Sequence, residues 1–131
     1  MMQKTMERWH ELVANHDDAI LDELLAEDVT FHSPVVHTPQ EGKAITKLYL
    51  ASANQVLGGG AFQYVRELID GNNAVLEFTT EIDGIHINGV DMIRCNDAGQ
   101  IVDFKVMVRP LKAINLLHQK MGEMLQQLAT Q

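Results

Sequence analysis

The chain has 131 residues, 46% hydrophobic and 21% charged, with a formal net charge of −8 and one cysteine. This length suits one domain over residues 1–131, and the composition excludes wholesale disorder and a membrane span of roughly 20 apolar residues. The acidic surface argues against nucleic acid and membranes as partners, since phosphate groups repel it. The lone Cys95 and the lack of an apolar stretch near the N-terminus lead us to expect a cytoplasmic protein.

Two short helices and a strand are predicted first. Apolar side chains recur at helical spacing over residues 6–13. Asp17 or Asp18 can cap a second helix. The apolar positions of that helix are Ile20, Leu21, Leu24 and Leu25. Residues 28–33 alternate as in a strand, which Pro34 ends.

A third helix is predicted after Gly42, followed by four strands and a last helix. The apolar face of the third helix is formed by Ile45, Leu48, Tyr49 and Val56. A triple glycine at 58–60 ends it. Strands are predicted at 62–69, 74–82, 85–95 and 100–109. Asp83-Gly84 is typical of a tight hairpin, and strands this close along the chain pair antiparallel. Pro110 then opens a helix with a stripe formed by Leu111, Ile114, Leu117, Met121, Met124, Leu125 and Leu128.

This order of elements is an α+β arrangement. A long twisted sheet with helices on one face tends to curl around them. We therefore expect a cone-shaped, curved antiparallel sheet wrapped around three N-terminal helices, plus a C-terminal helix. Two interpretations of that last helix remain open: it closes the mouth of the cone, or it crosses to a second subunit.

Three stretches of the chain match a known pattern: residues 7–13 (ERWHELV), 28–34 (DVTFHSP), and 89–94 (GVDMIR) with 99–101 (GQI). In this order of helices and strands, the chain resembles the nuclear transport factor 2-like superfamily, and within it the SnoaL-like branch. The superfamily includes ketosteroid isomerases, polyketide cyclases, limonene-epoxide hydrolases and scytalone dehydratases. The resemblance spans residues 5–110 and implies the fold, but this fold carries many activities.

Ketosteroid isomerases use a carboxylate base and two neutral donors, a tyrosine and a protonated aspartic acid. The resemblance places Ser33 at the base, and a hydroxyl group is not a base at neutral pH. Trp9 stands at the tyrosine, and Leu25 replaces a supporting tyrosine while Tyr49 keeps another. Only Asp91 is retained, at the position of the protonated acid. The resemblance therefore predicts no isomerisation through the usual base.

The other activities of the superfamily also lack their residues here. Phe104 and Val106 stand where polyketide cyclases carry a histidine and an aspartate. Gly89 replaces the arginine of the epoxide hydrolase relay, and Val106 also replaces its second aspartate. Scytalone dehydratases need paired histidines inside the cone, and no predicted strand offers an inward pair.

Strand alternation and the resemblance together predict an apolar pocket inside the cone. Its predicted lining is Trp9, Phe31, Ser33, Leu48, Tyr49, Leu76, Phe78, Ile93, Phe104 and Val106. Asp91 is the one ionisable group among them, and its burial predicts a raised pKa. Two interpretations stay open: Asp91 accepts a hydrogen bond from Trp9 or Tyr49 as part of the core, or it faces a ligand.

Other polar residues give no further site. His32 and His37 lack a metal-binding spacing, and His32 is predicted to face outward. Cys95 is interpreted as a small buried side chain. The outer sheet face around Glu77, Val90, Met92 and Met107 suits a second copy of the chain.

Three hypotheses follow for the function. The first is a domain that binds a small hydrophobic molecule, as a homodimer and without a cofactor. The second is an isomerase, cyclase or hydrolase-type enzyme acting on a hydrophobic carbonyl or polyketide-like substrate. In that enzyme Asp91 is the catalytic acid–base, with Trp9, Ser33 or Tyr49 as hydrogen-bond partners. The third is a non-catalytic protein-interaction module whose cone is filled by side chains.

Overall fold

The computed structural model describes the backbone of residues 2–129 and the side chains of residues 2–127, so Leu128 of the predicted stripe lies outside the described side chains. The elements are, in order, α1 (Met2–Asn15), α2 (Ala19–Leu24), β1 (Leu25–His32), β2 (Gln40–Glu41), α3 (Lys43–Leu57), β3 (Gln63–Asp70), β4 (Asn73–Ile82), β5 (Ile85–Cys95), β6 (Ile101–Arg109) and α4 (Leu111–Ala129). The predicted α+β class is confirmed. Within residues 2–129, none of the helices is long and apolar enough to cross a membrane.

The sheet is curved and unclosed, with strand order β2-β1-β6-β5-β4-β3. Strands β3 to β6 form the predicted antiparallel meander. The predicted antiparallel sheet has one parallel pair, because β1 pairs with β6 in parallel and places Phe31 opposite Phe104. A parallel partner is possible there because α3 and four strands, β2 to β5, separate β1 from β6 along the chain. The short strand β2, which was not predicted, then pairs with β1.

The boundary between α2 and β1 also differs from the prediction. Leu25 was predicted to lie in the second helix, but it is fully buried at the start of β1 and pairs with Ile101. Helix α1 ends in a Schellman motif in which the Asp17 N–H donates to the Leu12 carbonyl oxygen at 3.2 Å. The left-handed position of this motif is held by His16, with φ of 52°, instead of by a glycine.

Helix α3 packs on both the sheet and α4, which explains why its most buried residues are not the predicted apolar face. Thr46, Leu50 and Ser52 are its buried residues. The predicted face, formed by Ile45, Leu48, Tyr49 and Val56, is only partly buried. Small residues at Thr46 and Ser52 allow the helix to approach its neighbours closely, and the Ser52 hydroxyl donates to the Leu48 carbonyl at 2.8 Å.

Two apolar clusters fill the concave side of the sheet. One joins α1 and α2 to β1, β4, β5 and β6, and the other joins Phe78 and Ile87 to α4. The side chains of Tyr64 and Val106 pack against both clusters.

The absence of a side chain at Gly89 makes room for the Phe78 ring. A Cβ at Gly89 would lie 2.7 Å from Phe78 Cε2 and 2.9 Å from the Met107 carbonyl oxygen. The ring therefore occupies the space that any larger residue at this position would need. Gly89 stands where the resemblance places the arginine of the epoxide hydrolase relay, and the structure leaves no room for an arginine side chain there.

Candidate functional site

A cavity of about 240 Å³ lies between the concave face of the sheet and helices α1, α3 and α4. Most of its wall is apolar. The lining side chains and backbone segments are Trp9, Val13, Phe31, Ser33, Pro34, Val35, Val36, Tyr49, Leu50, Ala53, Asn54, Leu57, Gly58, Phe62, Tyr64, Phe78, Asp91, Phe104, Val106, Leu117, His118, Met121, Gly122 and Leu125. An enclosed apolar space with few polar groups is the usual form of a small-molecule site.

Most of the predicted pocket residues lie on this wall, together with Asp91. They are Trp9, Phe31, Ser33, Tyr49, Phe78, Phe104 and Val106. Three other predicted residues lie elsewhere, which corrects that part of the predicted lining. Leu76 and Ile93 pack into the core with α1 and α2. Leu48 points away because successive helix residues are about 100° apart, and α3 presents Tyr49 and Leu50 to the cavity.

Helix α4 forms one side of the cavity through Leu117, His118, Met121, Gly122 and Leu125. Ala113 and Leu117 anchor the helix in the apolar cluster around Phe78. An ion pair between Lys120 Nζ and Asp83 Oδ2, 3.3 Å long, ties it to the β4–β5 hairpin. Of the two interpretations of this helix, the structure shows it lying over the cavity of its own chain.

A chain of two hydrogen bonds connects three cavity residues from different elements. The indole Nε1 of Trp9 donates to the Tyr64 hydroxyl oxygen at 2.9 Å. The Tyr64 hydroxyl donates to Asp91 Oδ2 at 2.7 Å. Trp9 lies on α1, Tyr64 on β3 and Asp91 on β5. Strand β4 pairs with both β3 and β5 and so brings Tyr64 close to Asp91.

The direction of this chain is fixed by the chemistry of Trp9. An indole N–H only donates, so the Tyr64 oxygen accepts and the hydroxyl proton is directed at Asp91. Oδ2 of Asp91 is therefore always an acceptor. Oδ1 makes no hydrogen bond within the described residues, so a proton bound by this carboxyl group lies on Oδ1.

Burial is the largest influence on the pKa values of Asp91 and Tyr64. It raises the pKa of Asp91 to about 7, while the hydrogen bond from Tyr64 lowers that pKa by less. Burial, and then the charge of Asp91, raise the pKa of Tyr64 well above its ordinary value. Tyr64 therefore stays a neutral donor at physiological pH, whereas Asp91 exchanges its proton near neutrality.

Tyr64 is the site residue that sequence reasoning missed. The sequence led us to expect Trp9 or Tyr49 as the donor to Asp91, but Tyr49 packs on Phe31, with ring centroids 5.4 Å apart. The register of β3 against β4 places Tyr64 opposite Phe78, which was predicted to point inward. Carrying the alternation of β4 across the turn to β3 would have placed Tyr64 inside.

The remaining candidates lie outside the cavity. Nε2 of His32 and Oδ1 of Asp103 form a pair at 3.0 Å. Cys95 is buried with its sulfur 3.9 Å from that of Met2, and burial raises the pKa of its thiol. Among residues 2–129, no group of three or more His, Cys, Asp or Glu side chains could hold a metal ion.

Replacing Asp91 by asparagine should stabilise the fold near neutral pH. The folded pKa of about 7 lies above the reference value of 3.8, so the folded state holds the proton more tightly and ionisation destabilises it as pH rises between these values. Asp91→Asn keeps the acceptor for Tyr64 and removes the charge. We expect a gain of about 2 to 4 kcal/mol above pH ~7, vanishing below pH ~4, in urea unfolding at a series of pH values. A variant that is less stable at every pH would show that the carboxylate itself holds the core together.

Comparison with known proteins identifies the family. The sequence profile of the SnoaL-like domain matches residues 6–104. The steroid delta-isomerase of Pseudomonas aeruginosa is 36% identical, with a TM-score of 0.93 and coverage of 99% of this chain and 95% of that one. A protein with a cystatin-like fold from Silicibacter pomeroyi is 34% identical, with a TM-score of 0.84 and coverage of 91% and 83%.

A nuclear transport factor 2-like protein of Mesorhizobium loti is 22% identical, with a TM-score of 0.73 and coverage of 83% of this chain and 91% of that one, and shares the fold. A search of curated proteins found no significant match. The profile match over three quarters of the chain and the two relatives above 30% identity establish the family. The chain belongs to the SnoaL-like domain family, and it shares the fold of nuclear transport factor 2-like proteins.

Proposed function

We propose that the chain binds a small hydrophobic molecule in the cavity and recognises its polar group through Oδ1 of Asp91. The observation that carries this proposal is a buried carboxyl group with one unpaired oxygen on a mostly apolar wall. Oδ1 is not among the fully enclosed atoms that lack a partner, so it faces the space of the cavity, where a ligand can reach it. An apolar ligand body with one polar group would satisfy both the wall and Oδ1.

The open cavity disfavours the third hypothesis, an interaction module with a filled cone. Aromatic rings that surround the cavity pack on one another instead of filling it. Phe62 stacks on Phe78 with ring centroids 5.2 Å apart, and Trp9 packs on Phe104 at 5.0 Å. The cytoplasmic location expected from the sequence stays a prediction.

Decalone, a bicyclic ketone, is a suitable probe of the binding proposal. Trp9 is the only tryptophan and lies on the cavity wall, so its fluorescence reports occupancy. Protonated Asp91 donates to a ketone oxygen, so affinity should fall about tenfold per pH unit above the Asp91 pKa of about 7. In Asp91→Asn the amide N–H replaces that donor, and we expect binding that no longer depends on pH.

Two controls accompany this titration. His118 is another titratable residue on the wall, so His118→Gln should keep the pH dependence of the wild type. Asp91→Leu should bind decalone weakly at every pH, because it offers no donor. Persistence of the pH dependence in Asp91→Asn, or unchanged affinity in Asp91→Leu, would contradict the role of Asp91.

A second candidate function is proton transfer next to a carbonyl group. A carboxyl pKa of about 7 allows Asp91 to act as base and as acid at neutral pH. The name of the Pseudomonas relative, a steroid delta-isomerase, points to this chemistry. Ser33 lies on the wall, but its hydroxyl oxygen accepts the Val35 N–H at 3.1 Å, and a serine holds no proton for a base. Any such transfer would therefore run through Asp91.

Deuterium exchange measures this activity directly. In the ionised carboxylate, Oδ1 would accept the hydrogen beside the decalone carbonyl as a proton, so that the C–H bond breaks, an O–H bond forms and the C–H electron pair passes into an enolate. After exchange with D₂O, a deuteron would return to the carbon. We expect wild-type protein to accelerate this exchange in NMR spectra, Asp91→Asn to abolish it because an amide accepts no proton, and Ser33→Ala to retain it. Bound decalone that does not exchange would reject the enzyme and leave the binding proposal intact.

We also propose that two copies of the chain pair through the outer face of the sheet. Leu68 and Met107 are 60% and 52% exposed there, and Met92 is 38% exposed. The strand register places Met92 opposite Val75 and Met107 opposite Val90, so these apolar side chains share one face of the sheet with Glu77 and Lys105. An exposed apolar sheet face of this kind is typical of an interface.

Sedimentation at micromolar concentration should show a species of twice the chain mass of 14.7 kDa. Met92→Lys should give the monomer, because two-fold symmetry brings the new charge against its own copy. Leu111→Lys serves as the control, since Leu111 is 72% exposed on α4 and away from this face. A wild-type protein that sediments only as the monomer would reject the interface.

A further inference from the structure

Helix α3 carries a polar side chain on the cavity wall that the hydrogen-bond chain of Asp91 does not include. Asn54 lines the cavity between Leu50 and Leu57, which share its face of the helix. Its amide Nδ2 is buried without a hydrogen-bond partner within residues 2–129. The backbone of Asn54 is held firmly, because its carbonyl oxygen accepts the Gly58 N–H at 2.9 Å and ends the helix.

This amide is unfavourable for folding at this position. A buried donor without a partner costs free energy, and asparagine is a weaker helix former than leucine or alanine. Leucine has a similar volume and would suit the apolar wall better. A polar residue that improves neither the helix nor the core is expected to serve a ligand.

A comparison with Thr46 shows that an unpaired polar atom suggests a ligand contact only where its residue lines the cavity. Its hydroxyl is the other buried side-chain atom of the described residues that lacks a partner, and it lies on the same helix. Thr46 does not line the cavity, so no ligand can reach it. Asn54 does line the cavity, although its Nδ2 is closed off from that space in the observed orientation of the amide. Rotation of the amide about its last bond exchanges the positions of nitrogen and oxygen, and it breaks no hydrogen bond within the described residues.

We propose that Asn54 is a second polar anchor of the cavity, which donates a hydrogen bond from its amide to an uncharged acceptor on the ligand. The ligand class is then a hydrophobic body with two polar groups, one for Asp91 and one carbonyl or ether oxygen for Asn54. This inference rests on the proposed binding function and adds to it the requirement for a second polar group.

The test compares decalone, which has one carbonyl group, with a set of decalindione isomers, which have two at different separations. Calorimetry is performed at a pH below the Asp91 pKa, where that carboxyl group donates. For wild-type protein, at least one decalindione isomer should bind roughly five- to tenfold more tightly than decalone, the value of one added hydrogen bond. In Asn54→Leu this preference should disappear, so that decalone and the decalindione isomers bind with equal affinity.

Gln55→Leu is the matched control, because it makes the same kind of change at the exposed neighbouring residue, which does not line the cavity. It should keep the wild-type preference. Asn54→Leu should not lower the melting temperature, since no hydrogen bond of the amide nitrogen is lost. If Asn54→Leu does not fold, Asn54→Ala takes its place, as alanine is the best helix former.

The possible failures are distinguishable. A preference for decalindione that survives in Asn54→Leu, or an equal loss of affinity for both probes, would overturn the role of Asn54 alone. Decalone binding without any preference for an isomer in the wild type would do the same. Absence of binding by every probe would overturn the proposed function and this inference together.

Discussion

The hydrogen bond from the Trp9 indole to the Tyr64 hydroxyl determines what the carboxyl group of Asp91 can do. A tyrosine or serine in place of Trp9 could donate or accept, and the chain of hydrogen bonds could then run in either direction. An indole only donates, so Tyr64 must donate in turn to Oδ2 of Asp91. One carboxyl oxygen is permanently an acceptor, and proton exchange is confined to the other. Asp91 thereby presents one protonation site, Oδ1, to the cavity.

The apolar wall determines where that site titrates. The hydrogen bond from Tyr64 favours the charged form of Asp91 and by itself lowers its pKa. Loss of water around the carboxylate outweighs this, and the pKa of Asp91 rises to about 7. Phe78 contributes to the dryness of the site, because the missing side chain at Gly89 lets its ring lie against the strand. The same packing that removes water therefore keeps the pKa of Asp91 near neutral pH.

Local patterns predicted the elements of the fold, because strand alternation and turn residues depend on neighbours in sequence. They predicted the meander and placed Asp91, Phe78 and Phe104 on its inner face. The parallel pairing of β1 with β6 could not be predicted from local patterns, since these strands lie far apart in the sequence and their pairing depends on how α3 packs. Tyr64 was missed for a related reason: its partner Asp91 lies two strands away, and only the register across β4 connects them. Asn54 gave no sequence signal, because an orphaned amide exists only in the packed structure.

At the positions where the resemblance places catalytic residues of other superfamily members, this chain has residues that serve local packing. The Ser33 hydroxyl closes a turn on the Val35 N–H, and Val106 joins the two apolar clusters. Gly89 leaves its space to Phe78. None of these can accept a proton from a ligand. In the proposed function, recognition and any proton transfer therefore depend on Oδ1 of Asp91, and the second polar contact that we propose comes from a helix on the cavity wall. Helix α3 provides that wall, and Asn54 is the residue on it whose amide lacks a protein partner.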